Sequence, residues 1–483
     1  MTNAKTLSGP LDGLSLRSFY PQLSLVCDAL KPGGPRVFLV GGALRDYYLN
    51  RHGTDLDFAV DRGALALARR LARKIKGAFV LLDDEHNSAR VVKRMGGEIW
   101  TFDFTDLRAA SIDKDLKLRD FTVNAQAWEI AAKKDGAVLQ VERARADLKA
   151  GIVRMVSPQT FKDDPLRLLR AFSLQATLGF KMDARTLAQI RKDAHLIAHP
   201  AAERVREELF KVLSSPRAYA TLLSMDKAGL LSRVLPQITV MYGVAQGGYH
   251  HLNVWEHTLE ALAQIEKVID EMSRDERMRA YLQECIGGGH TRLALLKMAV
   301  LLHDIGKPEC RRKEKGRMTF HGHEHAGERI TRLVCRQLKL SVKERFFLED
   351  AVRLHLRPGY LANFKRPGEK AVFRFLRDAK DEAASLAVLA LADQAATRGK
   401  WTEVSKARHH AKICHMLIRK YFELKEQKPK QRLITGDDLI KVFKLKPSEL
   451  FGKILSRVEE AAALGKISTK EEALRLARTM VKG

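Results

Sequence analysis

The sequence predicts an α+β multidomain chain, a small mixed-sheet head followed by a predominantly α-helical remainder. Two patterns carry this. Residues 35–130 alternate strand-like apolar runs with helical segments, whereas from about residue 150 Leu and Ala recur at helical spacing almost to the end. The length of 483 residues adds a third observation, being sufficient for about three domains with sizeable cores. The chain divides into an N-terminal segment (1–34), the sheet head (35–135), a helical neck and body (136–245), a second helical domain (246–400) and a helical tail (401–483). Gly247-Gly248 and the Pro- and Lys-rich run EQKPKQ (426–431) punctuate the later boundaries.

The head opens on VGGALRDYYLNRHGTDLDFAV (40–60). An apolar run, Val37 to Val40, predicts a buried strand ending at Gly41-Gly42, and a short helix carrying Arg45 and Asp46 follows. The chain returns through His52-Gly53 into a strand from Asp55 to Val60. Residues two apart in a strand share a face, so Asp55 and Asp57 present paired carboxylates while Leu56 and Phe58 face the core. Paired carboxylates suit Mg²⁺, and glycines before a helix leave backbone N–H groups free to approach a polyphosphate. Next come a helix (64–76) and three strand-like runs, AFVLLD, ARVVKR and EIWTFDF. In the last, Asp103 alternates with Trp100, Phe102 and Phe104, which makes it a candidate third catalytic carboxylate.

Composition narrows the partner. A net charge of +27, with Lys and Arg spread along the chain, favours a polyanion, nucleic acid first. The five cysteines show no C-x-x-C pair, which argues against disulfides or a zinc-thiolate site and fits a reducing cytoplasm. No apolar run reaches membrane-spanning length, and MTNAKTLSGPLDG lacks the apolar core of a secretion signal.

In order, GGxxRD, a short spacer and DxD in an apolar strand resemble the signature of the class II tRNA nucleotidyltransferase and bacterial poly(A) polymerase superfamily. The resemblance implies that Asp55 and Asp57 hold Mg²⁺, with Gly41, Gly42, Arg45 and Asp46 on the triphosphate side. DLKLRDFTVNAQAW (115–128) resembles the family's RRDFTxNA motif, which implies that Arg119, Asp120 and Asn124 hold the nucleotide and its ribose hydroxyl. Leu118 stands where the family has a first Arg.

In FKDDPLRLLRAFSLQATLGF (161–180), Asp164-Pro165 reads as a cap and helix start, with Arg167 and Arg170 on one face. By resemblance to the EDxxR motif, Asp164 and Arg167, with Arg170 as helper, form an amino-acid template for the edges of CTP and ATP. Two departures stand out. The Gly-rich turn before the neck is replaced by QVERARADL (140–148), and only AASIDK separates Arg108 from Asp115. Full CCA-adding enzymes usually carry a longer flexible loop there, linked to the switch from C to A addition. The short segment resembles enzymes that add only CC, or relatives with other tail activities.

The 203–238 segment resembles the family's neck and body helices, where Arg204, Arg206, Lys211 and Arg217 are candidates to line an RNA path. Beyond it lie HHLNVWEHTLEAL (250–262), LALLKMAVLLHDIGK (293–307), FHGHEHAGERI (320–330), VRLHLRP (352–358) and SLAVLALADQAATRG (385–399). This order resembles the HD phosphohydrolase superfamily. It implies a divalent metal (Mg²⁺, Mn²⁺ or Ni²⁺) on His257, His303, Asp304 and Asp393, with His323 and His355 as ligands for a second. His321 and His325 are weaker candidates, and Lys307 is placed to meet a substrate phosphate. Residues 432–480 resemble tails that engage the tRNA elbow.

The combined expectation is template-independent addition of C, as CC or CCA, to the tRNA 3′ end from CTP and ATP, with a phosphohydrolase in the HD domain and no membrane partner. The alternatives are a bacterial poly(A) polymerase and an HD metal phosphohydrolase whose head only binds RNA.

Overall fold

The computed structural model describes residues 15–130, 138–248, 251–399, 401–426, 432–446 and 448–482. Residues 1–14, the expected head–neck boundary at 135/136 and most of the EQKPKQ boundary lie outside the described residues. The chain forms two compact units, Met1–Val234 and Leu235–Gly483, so the division falls ahead of the Gly247-Gly248 signal.

The first unit is built on seven strands: β1 (Val37–Val40), β2 (Asp55–Val60), β3 (Ala78–Asp83), β4 (Ser88–Met95), β5 (Glu98–Asp106), β6 (Gln126–Ile130) and β7 (Val138–Gln140). Their order is β3-β4-β5-β2-β1-β6-β7. β2 and β5 run parallel and the other neighbours antiparallel, so the sheet is mixed as the alternating pattern predicts. The β2 alternation is realised: Leu56 and Phe58 are buried, Asp55 and Asp57 exposed. Phe58 stacks on Phe104 at 4.8 Å, and the Ala64–Ile75 helix covers this core with Leu67, Ala68 and Leu71.

Residues 15–34 belong to this core rather than to a separate N-terminal segment. Short helices at Leu16–Phe19 and Leu23–Cys27 bury Leu16, Phe19, Leu23 and Val26 in it, and the Tyr20 hydroxyl donates to the Ala43 carbonyl at 3.1 Å. Behind the sheet strands, the Arg167–Leu178 helix packs against Ala202–Ser214.

In the second unit, the Val254–Met272 helix packs along Ala383–Ala396 and against Arg292–Leu302. Ala383–Ala396 also packs on Val404–Glu426, so the first tail helix is part of this bundle. The rest of the tail has its own small core of Ile434, Leu439, Ile454, Val458, Ala473 and Ala477. Among the described residues, no helix is long and apolar enough to cross a membrane.

One close approach shapes the bundle. A Cβ on Gly306 would stand 2.1 Å from the His323 carbonyl oxygen, so only glycine lets the turn after His303-Asp304 meet the His323–Gln337 helix. Capping boxes at Asn253/Glu256 and Ser341/Glu344 start two more of the helices.

Glu344 is buried, within 2.6 Å of His290 Nδ1, and accepts from the Ser341 N–H at 2.8 Å. Burial alone would raise its pKa, but His290 and Ser341 outweigh it and bring the carboxyl from 4.5 down to about 2. A depressed carboxylate stabilises the fold above its unfolded pKa and stops doing so as pH falls from about 4.5 towards 2. Glu344→Gln is therefore expected to cost about 1–3 kcal/mol at neutral pH, allowing for solvent screening at the helix end. Thermal melts of both proteins should converge on acidification through that window. A gap independent of pH would contradict this.

Candidate active site and metal centre

The sheet register assembles the first site. Val40 lies opposite Asp57 on one side, while on the other Asp57 pairs with Asp103 and Asp55 with Thr101. Asp55 and Asp57 thus project from one face of the sheet on its central strand, and Thr101 Oγ1 donates to Asp55. Asp57 is accessible to solvent but crowded by protein. That desolvation, followed by the Asp103 charge, raises its pKa against the pull of Arg119 and Arg170. Asp103 stands beside Asp57, yet Arg90 donates to both its oxygens, at 2.8 and 2.7 Å. This leaves Asp55 and Asp57 as the carboxylates open to a cation. Their crowding is of the kind a divalent ion relieves, so the donor set fits one.

Gly41 explains the bend after β1. Its φ is +74°, and a Cβ there would lie 3.3 Å from Asp57 Oδ2 and 3.7 Å from Arg119 Nη1. Gly42 begins the helix whose Arg45 grips Asp46 with two 2.9 Å hydrogen bonds and donates to Asn124 Oδ1 at 2.8 Å. The chain of contacts continues. Asn124 donates to Asp120 at 3.2 Å, and Arg170 Nε lies 2.7 Å from the other Asp120 oxygen. Burial would raise the Asp120 pKa, but Arg170, the Phe121 N–H and Asn124 together lower it. Asp120 is therefore held as an ionised acceptor.

The remaining expected residues fall as follows. Arg119 binds the buried Asp115, which Arg108 also holds. Asp164 accepts from the Leu166 N–H at 3.1 Å, capping the turn into the Arg167–Leu178 helix, and pairs with Arg204 at 3.1 Å. Arg167 and Arg170 differ in setting: Arg167 is buried and donates to the Thr160 and Leu118 carbonyls, whereas Arg170 is half-exposed. Sequence reasoning missed Arg90, Thr101 and Asp115, whose roles follow from strand register and buried pairing rather than from local spacing.

The second unit gathers six expected residues from five helices and turns. His257 Nε2 lies 2.9 Å from Asp393 Oδ1 and 3.7 Å from Asp304 Oδ2. His303 Nε2 is 3.3 Å from the same Asp304 oxygen and 3.8 Å from Asp393. On the far side, Asp304 Oδ1 faces His323 Nε2 at 3.5 Å and His355 Nε2 at 3.9 Å. Ligand atoms of His257, His303 and Asp304, and those of Asp304, His323 and His355, each cluster within 4.8 Å.

The Nδ1 atoms of His303, His323 and His355 face the Val300, Phe320 and Val352 carbonyls at 2.7, 2.8 and 2.6 Å. A carbonyl can only accept, so an N–H sits at each Nδ1, and the neutral form of each ring offers its Nε2 lone pair towards the centre. His303 Nε2 is buried with no hydrogen-bond partner. The residues therefore fit divalent ions, with Asp304 shared. Burial and the neighbouring His323 and His303 push His355 down to about 3, as suits a neutral ligand. Lys307, offered by sequence as a phosphate contact, is buried, 2.6 Å from Asp304 Oδ2, and donates to Gln246 at 2.7 Å. His325 points to solvent, and neither it nor His321 belongs to either group.

Family models match in both units. Residues 37–154 match the poly A polymerase head domain and 179–241 the probable RNA- and SrmB-binding site of polymerase A. Residues 254–397 match the HD domain and 383–477 a putative tRNA nucleotidyltransferase domain 2. A CC-adding tRNA nucleotidyltransferase of Thermus thermophilus is 34% identical over 90% of this chain and 92% of its own. An A-adding tRNA nucleotidyltransferase of Deinococcus radiodurans is 33% identical over 92% and 95%. The solved complex of a CCA-adding enzyme with ATP shares the fold, with a TM-score of 0.62 at 19% identity over 95% of each chain. A third of residues identical across nearly the whole length of two such enzymes settles the kinship: this chain belongs to the class II tRNA nucleotidyltransferase and bacterial poly(A) polymerase superfamily, carries an HD domain, and is an enzyme of the nucleotidyltransferase type.

Proposed function

We propose that this enzyme adds cytidine to the 3′ end of tRNA and stops after CC. The observation that carries the choice is the connection between Arg108 and Asp115. It is short, Ser111 caps the Ile112–Lys117 helix, and buried Asp115 is bound by the Arg108 N–H, the Arg108 guanidinium and Arg119. So tied a segment has little chain to rearrange between bases. The names of the two relatives divide between CC and A addition, so they do not decide the matter.

In this reading the RNA 3′-hydroxyl attacks the α-phosphorus of CTP, the bond to the bridging oxygen breaks, and pyrophosphate leaves. Asp55 and Asp57 would hold Mg²⁺, which when bound supplies the positive charge that such phosphoryl transfer needs. Gly41 keeps the space against Asp57 clear for the triphosphate. Asp120, ionised and braced by Arg170 and Asn124, accepts from the ribose 2′-hydroxyl and so favours ribonucleotides. Asp164, with the remaining donors of Arg167 and Arg170, meets the base edge. The net charge of +27 supports a polyanionic substrate. The buried free thiols of Cys335 and Cys414 suit a reducing cytoplasm.

For the second unit we propose phosphoester hydrolysis, supported by the paired His/Asp clusters around Asp304. His257, His303, Asp304 and Asp393 would hold one divalent ion (Mg²⁺, Mn²⁺ or Ni²⁺) and Asp304, His323 and His355 a second. Such ions activate water and stabilise the developing phosphate charge.

The test of the transferase reading offers tRNA transcripts ending at the discriminator base, after one C and after CC, with labelled CTP or ATP. C should enter the first two, and no A the third. Efficient A addition to the CC-ended transcript would overturn CC specificity. A long A tail on unrelated RNA would favour the polymerase.

A further inference from the structure

We infer that the HD site takes a linear phosphodiester, with a nucleoside lodged in each of two adjoining lobes beside the metal centre, rather than a terminal phosphate monoester. This rests on the hydrolytic reading of that site. Two adjoining cavities reach the same cluster. One, of about 540 Å³, touches it through Lys307 and His323, and the other, of about 710 Å³, through His355 and Asp393. Each falls within the size range of pockets that bury small ligands. They share Leu356, Tyr360 and Trp401 as a common wall.

That wall is aromatic. Tyr360 is exposed, and so is Trp401. Trp401 is held against Gly248, where its backbone N–H donates to the Gly248 carbonyl at 3.2 Å and a Cβ on Gly248 would come within 2.5 Å of the indole. The absence of a side chain at Gly248 therefore allows the ring to lie where both lobes meet it. Each lobe also carries cationic side chains, Arg317 and Lys307 in the first and Lys365 and Lys406 in the second. The Arg317 guanidinium stands 5.4 Å from the indole centroid.

A monoester presents one organic group and needs one lobe. The second would then be a solvated pocket with no ligand to fill it. A diester places its phosphate at the Asp304 cluster and one base in each lobe against the shared aromatics, a sequence-tolerant mode of binding. The reaction balances with water alone. Water oxygen bonds to phosphorus, the bond to one nucleoside oxygen breaks, and a water proton passes to that oxygen. The products are a nucleoside monophosphate and a nucleoside.

The test uses the full chain and the dinucleoside monophosphate CpA. Calorimetry on metal-free protein should show CpA binding at least about tenfold tighter than CMP. Trp401→Ala should weaken CpA binding about tenfold, and Trp401→Phe should restore most of it. With Mn²⁺ added, wild-type protein should split CpA faster than it hydrolyses p-nitrophenyl phosphate. CMP binding as tightly as CpA, or CpA affinity untouched by Trp401→Ala, would overturn the inference. Hydrolysis of p-nitrophenyl phosphate without CpA would overturn it while leaving the hydrolase reading intact. Hydrolysis of neither with Mg²⁺, Mn²⁺ or Ni²⁺ would remove both.

Discussion

Replacing Asp57 with alanine is expected to abolish nucleotide addition, with a fall of at least about 10³-fold in single-turnover incorporation of CTP. The size follows from the role: Asp57 is one of two carboxylates left open by Arg90, and no neighbour in the strand register can replace it. Stability should move the other way. The folded pKa of Asp57 is raised, by desolvation first and Asp103 second, so its ionised form works against the fold at neutral pH and ceases to do so as pH falls. Metal-free Asp57→Ala should therefore melt no lower than wild type at pH 7. Lost activity with an unchanged or higher melting temperature is the signature of a residue kept for chemistry. A variant that melts well below wild type would mark Asp57 as structural.

Asp304→Ala carries the second large effect. Its two oxygens face His257 and His303 on one side and His323 and His355 on the other, so one substitution removes a donor from both groups. Divalent-ion affinity of the second unit should fall by about 100-fold or more, read by calorimetry with Mn²⁺, and phosphoester hydrolysis should go with it. The change also leaves the buried Lys307 with Gln246 alone, a loss of about 3–5 kcal/mol in similar buried pairs. Asp304→Asn keeps the shape and a hydrogen-bonding group, so it separates lost metal from lost fold. Undiminished Mn²⁺ binding in either variant would refute the assigned centre.

How far the sequence alone reaches is clearest at these two sites. Asp55 and Asp57 were legible because strand periodicity places residues two apart on one face whatever the partner strand does. His303 and Asp304 were legible because the order His257, His303-Asp304, Asp393 resembles the HD superfamily and His303 continues the apolar stripe of Leu296 and Ala299, where a polar group needs a partner. What local spacing could not show is pairing at a distance. Arg90 reaches Asp103 only through the β4–β5 register, so local spacing offered Asp103 as a third carboxylate without showing the two-point ion pair that holds it. Arg167 and Arg170 share a helix spacing, yet neighbouring elements bury one and leave the other half-exposed. Leu16, Phe19, Leu23 and Val26 read as a leading segment because nothing in their own pattern says which core they join. The closeness of Gly306 to His323 emerges only once the turn after Asp304 meets the His323–Gln337 helix.

The most direct measurement is an anomalous-diffraction map of crystals grown with Mn²⁺ and a non-hydrolysable CTP analogue. The map should show a peak in the first unit coordinated by the Asp55 and Asp57 carboxylates and the nucleotide phosphates, with Asp103 still held by Arg90. Nucleotide bound there with its metal on other side chains, or bound away from β2 altogether, would contradict the assigned transferase site.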